Sequence, residues 1–283
     1  MNLSVFFLII RRTFSVCTFN ILSPCYKRLS SEYDRESAYE SLWQARHLSI
    51  IQLLQSLNIN LICLQEFWFR NPAFSHLYHS NLSSKYSFHT LRRTGSLDDG
   101  LAILVDKQNF KIINQCDFKL HDIGHRIGLL LHLEFNAKPL LLFNVHLTFP
   151  HYRFERRLRL RQMKKFLDWI DDYQTTHQLQ EQCSIILCGD YNSPYANDPV
   201  YQLINRKTFQ STYRLIHGYE PFVTHLTHRK DQLGTDFIFY KSKYFRPISS
   251  ELLPKDCNHL IWNNWELSDH RAIVTTFANH SDK

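Results

Sequence analysis

Glycine is scarce in this chain, with 7 in 283 residues. No G-x-G-x-x-G or G-x-x-x-x-G-K-[ST] string occurs. Dinucleotide and P-loop phosphate cradles need glycine where the backbone meets phosphate, so both modes are set aside. None of the 7 cysteines forms a C-x-x-C pair, which argues against structural zinc. Cys63 and Cys188 sit inside apolar runs, where a thiol packs as a small hydrophobe. This usage reads as a reducing compartment. No apolar run reaches bilayer-spanning length. The N-terminal run, Val5–Ile10, has no basic segment ahead of it, so residues 1–12 read as a lead-in or a weak targeting segment. Repeats, low-complexity tracts and Pro/Gly/Ser-rich linkers are also missing, so residues 13–283 are expected to form one domain.

What is present is ordinary for a globular protein: 44% hydrophobic and 21% charged residues. The charge is not balanced. Lys+Arg is 33 against Asp+Glu 26, a net +7, which favours a polyanionic partner such as nucleic acid or an acidic headgroup. Aromatics reach 14%; some can stack on bases, though most belong to a core.

Short apolar runs alternate with helical patterns. FSVCTFN (14–20), LICLQ (61–65), LAILV (101–105), GLLLHLE (128–134), LLLFNV (140–145), SIILCG (184–189), TDFIFY (235–240) and RAIVTTF (271–277) read as strands. FNAKP between two of them reads as a hairpin turn. Ser37 followed by Glu40 suggests a capping box opening a helix whose stripe is Trp43, Ile50, Leu54 and Leu57. A second helix is expected over 154–173, with Leu160, Met163, Leu167 and Ile170 on one face, and a short one over 198–206. Many strands with helices interspersed suggest sheets covered by helices.

The chemistry is concentrated at strand ends. Asn20, Glu66, His146, Asp190, Asn192, Asp236, Asp269 and His270 each lie at or beside one, where sites cluster in α/β folds. One carboxylate after a strand is usually a turn former or a cap. Several such placements together point to a site. Carboxylates with neutral asparagines are hard oxygen donors suited to Mg²⁺ or Mn²⁺. His146 and His270 are candidates for acid–base work or for stabilising an oxyanion. A carboxylate-held metal with two histidines is what phosphate-ester hydrolysis requires.

The ordered strings TFNILSP, ICLQEFW, FNVHLTFPH, ILCGDYNSP, GTDFIFY and LSDHRAIV resemble the endonuclease/exonuclease/phosphatase superfamily, over nearly the whole chain from Thr13 to Phe277. The resemblance implies a four-layer α/β sandwich of the DNase-like type, two mixed sheets face to face with helices outside. It also implies a divalent-metal-dependent phosphoesterase. On the matching positions it implies metal or phosphate binding by Asn20, a principal Mg²⁺ ligand in Glu66 and a metal-proximal carboxylate in Asp269. It further implies a histidine near the scissile phosphate (His146), a residue that orients or deprotonates water (Asp190), a phosphate-holding Asn192, and a catalytic His270 with Asp236 as its carboxylate partner. Repair-type abasic-site endonucleases carry an aspartate where this chain has Leu22 and lack the N-x-H-L histidine, which weakens a repair role. With RESAYESLWQAR (35–46), LQEFW and HLTFPH, the chain resembles the plant-type calcium-binding members, and more distantly the poly(A)-type deadenylases. It contains no D-x-[DN]-x-[DN]-G loop, so no EF-hand is expected.

Substrate cues are coarser. The segment 151–165, HYRFERRLRLRQMKK, starts close to His146 and reads as a rail for a phosphate backbone, with Arg156 and Arg157 as contacts; the plainer reading is a solvated helix face. Arg92, Arg93 and Arg126 are further phosphate clamps, and Asp99-Gly100 reads as a turn. The expected partner is RNA or DNA, with a lipid headgroup or inositol phosphate as the alternative. That alternative calls for an exposed apolar element, for which Val5–Ile10 and Trp262–Trp265 are candidates. A non-catalytic binding module is disfavoured by the completeness of the inferred set. A monomer in an intracellular compartment, cytoplasmic or nuclear, is expected, with an organellar address left open by residues 1–12.

Overall fold

A computed structural model describes residues 13–150, 154–180, 182–194, 197–255 and 266–280. The strands are β1 (Thr13–Asn20), β2 (Leu61–Trp68), β3 (Tyr86–Arg92), β4 (Asp99–Asp106), β5 (Lys111–Lys119), β6 (Ile127–Phe135), β7 (Lys138–His146), β8 (Ser184–Asp190), β9 (Gln210–Ser211), β10 (His225–Leu226), β11 (Gln232–Leu233), β12 (Asp236–Lys241), β13 (Phe245–Leu253) and β14 (Ala272–Asn279). The helices are α1 (Glu40–Leu57), α2 (Pro72–Leu82), α3 (Glu155–Thr176), α4 (Pro199–Arg206) and α5 (Thr212–His217).

Two six-stranded sheets are built, in the orders β13-β14-β1-β2-β4-β3 and β5-β6-β7-β8-β12-β9. Each contains one parallel pair, β1 with β2 and β7 with β8. Side chains alternate along each strand, and both faces of the central strands are apolar, which is why they read as continuous hydrophobic runs. Val16, Leu61, Cys63, Ile103, Leu131, Leu142, Ile186 and Cys188 share one cluster between the sheets. On the outer side of the first sheet, Phe19, Ile62 and Leu104 meet Trp43 and Leu54 of α1 and Phe74 and Tyr78 of α2. Outside the second, Leu141, Phe143 and Leu187 meet Met163, Phe166 and Ile170 of α3 and Ile204 of α4. The order of layers is helix, sheet, sheet, helix, as expected.

Local signals fared unequally. Asn136 and Ala137 both have positive φ, 50° and 58°, so FNAKP is a hairpin turn of the primed kind that matches strand twist. The capping box at Ser37 is a correction. Helix α1 begins at Glu40 after Tyr39, with no side-chain cap. Residues 36–38 form a separate 3-10 turn, because Glu36 is buried and accepts from Arg46 Nε at 2.9 Å. Helix α2 and strands β3, β5 and β13 escaped periodicity. Strand β5, for example, carries no buried residue, so it shows no apolar alternation.

Polar residues also bridge the sheets. Gln65 Nε2 donates to Asn144 Oδ1 at 2.7 Å, and Asn144 Nδ2 donates to the carbonyls of Leu64 and Ala102 at 2.9 and 3.1 Å. Buried amides hydrogen-bonded across the interface in this way fix one register between two otherwise apolar faces. They lie just beneath the strand ends that carry the site.

Candidate active site

The two parallel pairs end on the same side of the molecule. Asn20 is paired in register with Gln65, the residue before Glu66. On the other sheet, Asp190 sits level with His146 of β7 and with Asp236 of β12. Three site residues thus occupy one register row. Gly189 makes this row possible, since a Cβ there would stand 2.0 Å from the Val145 carbonyl oxygen.

Backbone strain gathers at the same place. Leu22, Glu66 and Asn192 all have left-handed φ, at 49°, 60° and 48°. Glu66 is the extra residue of a bulge between Gln65 and Phe67, and such bulges re-aim a side chain out of the sheet's alternation. Strained positions of this kind persist where the surroundings over-determine them, and they cluster at functional sites.

Asp190 Oδ2 is the hub. Asn20 Nδ2 donates to it at 3.2 Å and Asn192 Nδ2 at 3.3 Å. His146 Nε2 and His270 Nε2 lie 3.4 and 3.6 Å away. The Asn192 N–H donates to Oδ1 at 2.8 Å. Asp236 Oδ2 faces His270 Nδ1 at 2.9 Å and accepts from Thr224 Oγ1 at 2.6 Å. Ser268 Oγ donates to the Asn20 carbonyl at 2.7 Å, tying the Ser-Asp-His segment to β1. Burial disfavours a charged His270, but Asp236 and Asp190 outweigh it and hold the imidazole up at about 10. His146 is driven well below the ordinary histidine range by burial, with Arg126 and Arg93 adding to it. Burial and then Asp236 raise Asp190. The two histidines therefore differ in charge state near neutrality: His270 an imidazolium, His146 neutral.

Glu66 stands on the opposite wall. Its oxygens accept from Asn20 Nδ2 at 3.1 Å and the Ser23 N–H at 2.9 Å. Burial, then the like charges of Asp269 and Asp99, push it up to about 7. A half-buried carboxylate facing two others is a set of hard oxygen donors short of positive charge, so this corner fits a divalent cation. Asn20, expected among the oxygen donors, instead turns its amide nitrogen to two carboxylates, while its Oδ1 accepts from the Leu22 N–H at 3.1 Å. Among the described residues, donor atoms also converge in two further groups, His225–Asp269–His270 and Asp190–Asp236–His270.

Between these walls lies a cavity of about 710 Å³. Its lining cations are Lys27, Arg28, Arg35, Arg93 and Arg126. Arg126 is 7% exposed, and its Nε and Nη1 have no hydrogen-bond partner. Arg93 is held by Asp99 at 3.0 Å, and Tyr26 donates to the same carboxylate at 2.7 Å. Asp99-Gly100 is therefore not a turn, because Asp99 opens β4 fully buried. Arg92 is an exposed partner of Asp98. Arg156 lies 3.8 Å from Asp198, and neither Arg156 nor Arg157 lines the cavity. The cations that do line it include Lys27, Arg28 and Arg35, which sequence reasoning missed. They sit in the irregular segment after β1, where no periodicity announces which way a side chain points. Thr224 and His225 were missed for the same reason. Val5–Ile10 and Trp262–Trp265 lie outside the described residues, as do 151–153 of the basic segment.

The Endonuclease/Exonuclease/phosphatase family profile matches residues 17–270, and the chain belongs to that family and so to the phosphoesterase superfamily. An uncharacterized calcium-binding protein of Arabidopsis thaliana is 36% identical over 244 residues, covering 80% of this chain and 50% of that protein. Protein angel homolog 2 of Homo sapiens is 28% identical over 204 residues, 68% of this chain and 36% of its own. The chain thus spans half or less of the length of these curated relatives. Among solved structures, ANGEL2, a 2′,3′-cyclic phosphatase in complex with adenosine-2′,3′-vanadate, superposes with a TM-score of 0.76 at 19% identity, covering 95% of this chain and 96% of that one. The human Nocturnin catalytic domain gives 0.73 at 20%, covering 95% and 94%. D. rerio TDP2 complexed with single strand DNA product gives 0.67 at 17%, covering 94% and 98%. At these identities the likeness shows a shared fold. Among the described residues, no helix is long and apolar enough to cross a membrane.

Proposed function

We propose that residues 13–283 form one catalytic domain that hydrolyses phosphodiester bonds with the help of Mg²⁺ or Mn²⁺, and that its substrate is RNA, DNA or a nucleotide end derived from them. The observation that carries this reading is the hub at Asp190 Oδ2. A buried carboxylate surrounded by two amides and two imidazoles, facing a cation-poor Glu66 across one cavity, has no structural purpose that an apolar core would not serve better.

Glu66 with Asp269 would hold the metal, which supplies Lewis-acid polarisation of the phosphoryl oxygen when bound. Asn20 keeps Glu66 and Asp190 at a fixed separation by donating to both. Asp190, raised by burial, is a better base than a surface aspartate and takes the proton of the attacking water. His270, kept charged by Asp236, presents a proton-bearing Nε2 to negative charge that develops on phosphorus oxygens. His146 stays neutral and donates to the same group. The side-chain Oδ1 of Asn192 has no partner, which suits it to a hydrogen-bond donor on the substrate. The unpartnered edge of Arg126 is the phosphate clamp, since a buried guanidinium with two free donors is a site for a bidentate anion.

A nucleic-acid end is favoured by the net charge and by the cluster Arg28, Arg35, Arg93 and Arg126 around a cavity of nucleotide size. The lipid-headgroup alternative is supported by Ile123, 85% exposed on the cavity lip, with Leu97 and Leu226 beside it. The deciding experiment is hydrolysis by the full chain and by Glu66→Gln, with Mg²⁺, of single-stranded RNA and DNA, a 2′,3′-cyclic nucleotide, and vesicles carrying phosphoinositide or sphingomyelin. Turnover confined to the vesicles replaces the first reading with the second. Equal turnover by wild type and variant on every substrate sinks both.

A further inference from the structure

One histidine in the site has no part in the chemistry above. His225, the first residue of β10, is 4% exposed. Its ring lies flat on that of His270, with centroids 3.9 Å apart and planes at 11°. Its Nε2 is 3.6 Å from Asp269 Oδ2, and Phe149 meets it edge-on at 6.1 Å. The backbone locks this stack: His225 and His270 form a bridge, the Leu226 N–H donates to the Asp269 carbonyl at 2.9 Å, and the Arg271 N–H donates to the Thr224 carbonyl at 2.7 Å.

We propose that His225 is a positioning residue that sets the plane of the His270 imidazole. The inference rests on the phosphoesterase reading. The physical need is specific. Asp236 faces Nδ1 of His270 and Asp190 Oδ2 lies 3.6 Å from its Nε2, but contacts lying in the ring plane leave the imidazole some freedom to roll about the line between them. A flat neighbour removes the freedom, and stacking energies of ordinary size shift the ring population on the order of tenfold. The arrangement does not suit a shared metal. Imidazole lone pairs lie in the ring planes, so two parallel rings at van der Waals separation do not aim at one ion. The adjacent residue completes the device, since Thr224 Oγ1 fixes Asp236 at 2.6 Å. One dipeptide thus supports both the His270 ring and its carboxylate partner.

The test uses the full chain with Mg²⁺, bis(4-nitrophenyl) phosphate as substrate, and histidine ring resonances by NMR. His225→Ala is expected to lower kcat about tenfold with KM changed less than twofold. His225→Phe, which keeps a flat ring, is expected to recover most of that loss. On a His270→Ala background, His225→Ala is expected to cost less than twofold, because there is no ring left to orient. The upfield ring-current shift of the His270 Cε1 proton is expected in wild type and His225→Phe and lost in His225→Ala. Equal activity of wild type and Glu66→Gln would indict the phosphoesterase reading, and the NMR shift would still report the stack. Multiplicative losses in the double variant, a phenylalanine variant as poor as alanine, or an unmoved His270 resonance in His225→Ala would each overturn the proposal.

Discussion

The cavity has two unlike walls. On the wall that carries Asp190 and Asp236, the protein's own groups already surround the key oxygens: Asp190 Oδ2 faces two amides and two imidazoles, and Asp236 Oδ2 faces His270 and Thr224. On the opposite wall Glu66 faces the like charges of Asp269 and Asp99, and Arg126 keeps two donors unpartnered. The first wall is preorganised by folding. On the proposed reading, the second is completed by what binds, a cation at one end and an anion at the other. Leaving binding groups unsatisfied costs stability, and the recurrent pattern is that active sites accept this cost.

The comparison breaks most visibly at Glu66. Glu66→Gln is expected to lower turnover by at least about 10³-fold, with the fold retained by circular dichroism. Wild type should gain about 2.7 kcal/mol of stability at a metal concentration a hundred times its Kd, read as a rise in Tm, and the variant should gain almost none. An equal Tm rise in both proteins would remove Glu66 from the metal site.

On the preorganised wall, Asp190→Asn is expected to cost about 10²–10⁴-fold in kcat, the usual range for a positioned general base. Asp236→Ala and His270→Ala should be non-additive, since they act as a unit. If the double variant's loss equals the product of the single losses, the pair does not work together.

The metal-free protein offers a test of opposite sign. Glu66 is raised from the ordinary 4.5 to about 7, so between those values the folded state binds more proton than the unfolded one. Stability therefore falls as pH rises through that window, and the deficit is complete above about 7. At 1.36 kcal/mol per unit, it is on the order of 3 kcal/mol. In EDTA at pH 8, Glu66→Gln should unfold at higher denaturant than wild type, and at pH 4.5 the two should coincide. A variant less stable than wild type at pH 8 would show that the like charges are already compensated.

The smallest expected effect separates the two arginine sets. Arg126→Met should raise KM about tenfold and leave stability unchanged or slightly improved, because it removes an unpaired buried cation. If substrate binding weakens with salt, this variant should flatten the slope by about one phosphate contact, roughly 0.7–0.9 in log K against log salt. Arg156→Ala with Arg157→Ala should leave the slope as it is, since neither side chain lines the cavity. A flattened slope in that pair and not in Arg126→Met would restore the helical rail.

Much of the site was legible before any coordinates. Glu66, His146, Asp190, Asp236 and His270 could be found because they terminate apolar runs, and a strand end is a local event. The sandwich was legible for the same reason, from strands apolar on both faces. Edge strands such as β5 were not, because an exposed ladder shows no apolar alternation. Of the expected phosphate contacts, Arg126 lines the cavity while Arg156 and Arg157 do not. A run of cations on α3 is conspicuous in sequence, but the helix directs Arg156 and the buried Arg159 toward Asp198 and leaves Arg157 exposed, while isolated arginines in loops turn inward.

By itself the sequence determined the family, the layer order and the residue types that meet at the strand ends, because these follow from periodicity and from short ordered motifs. Only the tertiary structure decided which charges are left unpaired. Glu66 points into the cavity because a bulge breaks the alternation of β2. Arg126 keeps Nε and Nη1 unpartnered because the groups packed around it in the fold offer them no acceptor. His225 lies on His270 because a two-residue bridge joins segments 45 residues apart in number. Pairing across such separations is a property of packing, and no local pattern encodes it.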